Sequence, residues 1–140
     1  MEEKLILSSK QKALKINLDN SIYGSMVEIG AGQEVARQFF RAGSASGTIA
    51  KTMSAYDKDF SDAIYGKEID GRYVCESRLD NMLDHEYKLL EDRLDRGSFP
   101  ERRYFALADT ITTINYEKTN KGHGWIGVRF QKNVNNKPND

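Results

Sequence analysis

A chain of 140 residues has room for one domain and for a core that needs neither disulfides nor metals. Apolar residues make up 39% and charged residues 30%, with 21 Lys and Arg against 21 Asp and Glu. The zero formal net charge argues against a dominant electrostatic attraction to nucleic acid, and a single cysteine, Cys75, excludes an internal disulfide.

Met1 to Leu7 has no long apolar core or small-residue cleavage site, and no stretch approaches the ~20 apolar residues of a membrane span. The sequence therefore reads as cytoplasmic. Residues 12–18 alternate polar and apolar side chains around Leu14, Ile16 and Leu18, which predicts a strand. Asp19-Asn20-Ser21 is a turn signal, and residues 22–29 read as a second short strand. A helix is expected from Glu34 to Ala42, capped by Gly43. Gly43 to Gly47 is a loop of small residues. After it Ile49, Met53, Tyr56, Phe60 and Ile64 recur at helical spacing, so one broken helix or two short ones are expected.

Ser77 and Asp80 resemble a capping box, followed by the apolar stripe Leu79, Met82, Leu83, Tyr87, Leu90 and Leu94. That pattern predicts a helix over roughly 78–96, stopped by Gly97 and Pro100. Tyr104 to Tyr116 reads as a long strand whose first half is covered on both faces, and Trp125 to Phe130 as another. Together they predict an antiparallel hairpin. The fold class is α/β or α+β: a small mixed sheet with a C-terminal antiparallel hairpin, packed by two to four helices. Residues 1–132 form one module, and 133–140 are a polar tail or a truncated turn.

Two segments could carry chemistry. Val27 to Glu34 has the outline of a strand, a Gly30-Ala31-Gly32 turn and a helix start, which can approach a nucleotide and attract phosphate. It also resembles the first motif of Rossmann-type methyltransferases, matching at Glu28, Gly30 and Gly32, with Glu34 at the third glycine position. In that reading Asp57 would meet the ribose hydroxyls of S-adenosylmethionine. The second segment, Gly43 to Thr52, offers Ser44, Ser46, Thr48 and Lys51 to a phosphate, without the spacing of a Walker A loop. For both, the plain alternative is a turn shaped by backbone geometry. His85 and His123 are too few for a structural zinc site, so no metal is expected, and His123 reads as a loop residue. Cys75 reads as a small core residue, and Asp57, Asp59 and Asp62 as a solvated acidic cluster.

Glu28 to Phe40, Ala45 to Asp57, Phe60 to Gly66, Tyr73 to Leu79 and His123 to Gln131 together resemble blocks of an uncharacterised bacterial family. Its members are longer and often carry the name nicotinate-nucleotide adenylyltransferase or TonB-dependent receptor. The resemblance implies that this chain is an N-terminal part. An adenylyltransferase of that type needs a His-x-Gly-His or Thr-x-Gly-His motif near its start, and a TonB receptor needs a signal peptide and many barrel strands. The sequence has none of these, so the resemblance implies no catalytic residues. The sequence leaves three readings: a module binding a nucleotide-like or small anionic ligand, a non-catalytic protein-interaction module, and a methyltransferase-like domain. It names neither a cofactor nor a partner, and it leaves open whether the chain is an enzyme.

Overall fold

Strand β1 (Ile22–Gly30) is buried from Gly24 to Gly30, as expected of a strand with neighbours on both sides and helices on both faces. The computed structural model describes residues 6–94 and 96–140. The N-terminal stretch without a signal-peptide core falls largely on residues 1–5, outside the described residues. In chain order the elements are α1 (Ser9–Asn17), β1, α2 (Val35–Ala42), β2 (Ile49–Ala55), α3 (Lys58–Tyr65), α4 (Glu76–Arg93), β3 (Arg103–Thr112) and β4 (His123–Phe130). The four strands form one mixed sheet in the order β2-β1-β3-β4. β1 is parallel to β2 and to β3, and β3 and β4 form the antiparallel C-terminal pair.

Alternation along β1 divides the two layers. Val27 and Ile29 face α4 and meet Leu79, Met82, Leu83, Tyr87 and Leu90, together with Tyr104, Ala106 and Ala108 of β3. Met26 and Glu28 point to the opposite face, where Glu28 meets α2 and α1 packs on α2. The apolar stripe of α4 is thus buried as its periodicity predicts. The helix begins earlier than expected, with Cys75 at the N-cap and no side-chain cap bond. Ser77 is therefore inside the helix, and Cys75 is half-buried beside it with its Sγ 3.3 Å from Ser77 Oγ.

Two expectations are corrected. Residues 12–17 are helical, with Leu18 as the C-cap, because Ser8 and Gln11 form a reciprocal capping box. The buried positions are Ala13 and Asn17, one helical turn apart, while Leu18 is exposed. Asn17 Nδ2 donates to Phe39 O and Gly43 O, each at 2.9 Å, and ties α1 to the end of α2. The run from Ile49 to Ile64 is a strand followed by a helix. Ile49, Lys51, Met53 and Ala55 alternate half-buried along β2, whereas Tyr56 and Phe60 are exposed. The threonines and serines that lower helix propensity here suit the outer face of an edge strand.

The layer between α3 and α4 is polar. Arg78 is fully buried and donates to Ser61 Oγ, Asp62 Oδ1 (2.7 Å), Gly66 O and Glu68 Oε2 (3.4 Å). Asp62 therefore belongs to this cluster rather than to a solvated patch. At the far side of the sheet the face of β4 away from α4 is uncovered, leaving Ile126 and Val128 exposed. Trp125, on the other face, is level with Thr110 and 41% exposed. After β4 the chain turns back, and Asn139 exchanges two backbone hydrogen bonds with Phe130, at 2.8 and 2.7 Å. No helix among the described residues is long and apolar enough to cross a membrane.

Replacing Arg78 by Met would leave buried acceptors on Asp62 and Glu68 without their cation. Breaking a buried pair in this way costs about 3–5 kcal/mol. Urea unfolding of Arg78→Met is expected to show a loss of that size; a loss below about 1 kcal/mol would mean the cluster is not a fastening point.

Candidate functional site

The strand order decides where a ligand crevice can open. From β1 the chain goes first to β2 on one side and then to β3 on the other. The order reverses beside β1, so the crevice of such a sheet lies at the carboxyl ends of β1 and β3.

At this end the glycine turn is packed onto β3. Gly30 has φ +84°, and a Cβ there would sit 2.0 Å from Ile111 O. A Cβ on Gly32 would meet Ile111 Cδ1 at 2.2 Å. Ala31 N–H donates to Ile111 O at 2.9 Å. Gln33 folds back, and its Nε2 donates to Gly30 O (2.8 Å), Glu28 O (3.1 Å) and Ala55 O (3.4 Å). It thereby links the ends of β1 and β2. The N–H groups of Gly32, Gln33 and Glu34 have no acceptor among the described residues.

Beneath the turn lies a buried pair of acids. Glu28 and Asp109 are level with each other on β1 and β3, and both are buried. The Glu28 carboxylate accepts from Val35 N–H at 2.8 Å and Ala36 N–H at 3.4 Å, which caps α2. Burial raises the Asp109 carboxyl well above the usual range, to about 8, and a hydrogen bond to Glu28 and its charge add to this. Asp109 thus keeps its proton at neutral pH beside the Glu28 carboxylate. Its Oδ1 has no hydrogen-bond partner among the described residues and lies 3.1 Å from where a Gly32 Cβ would be.

On the α4 side of the same rim is a cavity of about 210 Å³ lined by Arg72, Tyr73, Val74, Thr112 and His123. Thr110 Oγ1 donates to Tyr73 O at 2.6 Å and holds the cavity wall to β3. The Arg72 guanidinium has no partner among the described residues. His123 Nδ1 lies 3.0 Å from Lys121 O. The rim therefore has an acidic interior on the α2 face and a largely apolar cavity, bordered by Arg72, on the α4 face.

The structure places the sequence candidates in two groups. Glu28, Gly30 and Gly32 stand at the carboxyl end of β1, and Asp57 follows β2 at that same end. The Asp57 side chain accepts from Phe60 N–H at 2.8 Å and caps α3. Ser44, Ser46 and Thr48 lie at the other end of the sheet, where Gly24 N–H donates to Thr48 O. Six strand residues, roughly 20 Å, separate the two groups. Thr48 is buried and its Oγ1 donates to Asn17 O at 3.0 Å, while Ser44 takes a left-handed backbone at φ 60°. Sequence reasoning missed Asp109 and Arg72. The signal for Asp109 was present: one acid inside the apolar run from Tyr104 to Ile111.

No family model matches the chain, and no curated protein matches it. Among solved structures, the crystal structure of the competence/damage-inducible protein CihA from Agrobacterium tumefaciens is similar, with a TM-score of 0.58. The likeness is one of fold. Sequence identity is 16%, over 92% of this chain and 77% of that one.

Asp109 makes stability depend on pH. Its folded pKa lies above the unfolded value, so the folded state binds more protons between about pH 4 and pH 8, and stability falls as pH rises through that window. Asp109→Asn removes this effect and keeps a donor for Glu28. The variant should gain on the order of 1–2 kcal/mol over the parent at pH 8, less than the whole shift implies because solvent screens the rim, and almost nothing at pH 4. Urea unfolding at pH 4, 6 and 8 checks this, and a difference that does not grow with pH would refute it.

Proposed function

We propose that the chain is a small-ligand-binding module whose ligand, a nucleotide-like compound or other small anion, docks on the carboxyl-end rim. The observation that carries this reading is the reversal of strand order beside β1, which puts the glycine turn at the carboxyl end of the sheet. One feature favours an anion: the N–H groups of Gly32, Gln33 and Glu34 have no acceptor among the described residues. Arg72 borders a cavity on the other face of the same rim. The Glu28 carboxylate already occupies the amides of Val35 and Ala36, so the anion would use the earlier amides of the turn. Glu28, Gly30, Gly32 and Asp57 would shape this end of the sheet; Ser44, Ser46 and Thr48 would be outside the site. The fold is shared with a competence/damage-inducible protein, a likeness that adds no ligand.

The interaction-module reading is favoured by one observation: Ile126 and Val128 are exposed together on the uncovered face of β4. The methyltransferase-like reading has Asp57 just past the strand that follows the glycine turn, but that side chain is engaged as a helix cap.

Thermal-shift screening with ATP, NAD and S-adenosylmethionine at millimolar concentration separates these readings. At least one ligand should raise the melting temperature, as linkage requires. Arg72→Ala combined with His123→Ala should weaken an anionic ligand about tenfold while leaving the apo melting temperature unchanged, because both groups are on the rim. No stabilisation by any of the three would count against the ligand reading. Substituting Gly30 is a poor test, since a side chain there collides with Ile111 O and disrupts the fold itself.

A further inference from the structure

A second cavity, of about 380 Å³, lies at the opposite end of the sheet, between the last turns of α4 and the amino-terminal halves of β1 and β2. It is independent of the carboxyl-end rim. Small residues create it: Ser25 on β1 is level with Ala106 on β3, so the sheet leaves space beneath α4. Leu89, Leu90 and Leu94 form the helix wall, and Tyr23, Ala50 and Lys51 form the sheet side.

The charges around this cavity do not cancel. Lys51 Nζ is paired with Glu86, a buried carboxylate that also accepts from Tyr65 Oη–H at 3.0 Å. Arg93, on the cavity wall, has no ion pair or hydrogen-bond partner among the described residues. Two cations thus face one carboxylate, and the cavity is short of one negative charge. Its size lies at the lower end of the range for small-molecule sites, and its make-up of apolar walls with a few placed polar groups is typical of them.

We propose that this cavity binds a small amphipathic monoanion, namely a carboxylate with an aromatic or branched apolar body. The body lies against Leu89, Leu90 and Leu94. The carboxylate sits between Arg93 and Lys51, where the guanidinium fork of Arg93 can hold both oxygens. A monocarboxylate supplies the single missing charge.

Isothermal titration of the protein with 2-naphthoate, and with the neutral 2-naphthamide as isostere, tests this. The acid should bind saturably, and the amide at least about tenfold more weakly. Arg93→Gln should lose about tenfold in affinity for the acid, with an unchanged melting temperature because the side chain is exposed, and Arg93→Lys should recover only part of that loss, because an ammonium keeps the charge without the two-pronged fork. Intermolecular NOEs should connect the naphthyl protons to the methyl groups of Leu89 and Leu94. The proposal is overturned by the absence of saturable binding up to about 5 mM, by equal affinity for acid and amide, by an indifferent Arg93→Gln, or by NOEs only to methyl groups outside this cavity.

Discussion

Between β1 and β3 the backbones come together at both ends of the pair more closely than side chains allow. A Cβ on Gly24 would lie 2.0 Å from Phe105 O, and one on Gly30 would lie 2.0 Å from Ile111 O. Glycine at these two positions lets the strands stay level from Ile22 opposite Arg103 to Gly30 opposite Ile111. Everything else takes its place from this pairing. It sets Val27 and Ile29 under α4, sets Glu28 beside Asp109, and puts the reversal of strand order where the glycine turn leaves the sheet. The glycines that first suggest a nucleotide motif are therefore demanded by β3. Any ligand at the rim reads groups around them rather than the glycines themselves.

What could be read from the sequence depended on how locally each element is determined. The stripe on α4 and the β3–β4 hairpin rest on many apolar residues at one period, and both appear, although β3 ends at Thr112 rather than Tyr116 and β4 starts at His123 rather than Trp125. The failures lie where the apolar content is thin. In α1 the alternation of Leu14, Ile16 and Leu18 carried less weight than the Ser8–Gln11 cap and the contacts of Asn17 with α2. In the run from Ile49, five residues at helical spacing concealed a boundary at Asp57, whose cap bond starts a new helix. Both signals lie in polar residues, which a hydrophobic period ignores.

The site was legible in part for a related reason. The segment Glu28 to Gly32 is continuous in sequence, so its geometry could be anticipated. The other half of the rim comes from Arg72, Asp109, Thr112 and His123, which only the sheet brings close. The same holds for the interior charges. Arg78, Glu86 and Asp62 look like ordinary members of a solvated helical surface until the packing of α3 on α4 buries them. Burial of polar groups in this protein is a property of the tertiary arrangement and leaves little trace in the local pattern.

Trp125 is the only tryptophan in the chain. It sits half in water, level with Thr110, the residue whose hydroxyl fastens the wall of the rim cavity. Its indole therefore gives the molecule an intrinsic optical reporter at that rim. Emission from this one ring responds to the polarity around the carboxyl end of β3, with no second tryptophan to dilute the signal and no label to disturb the site.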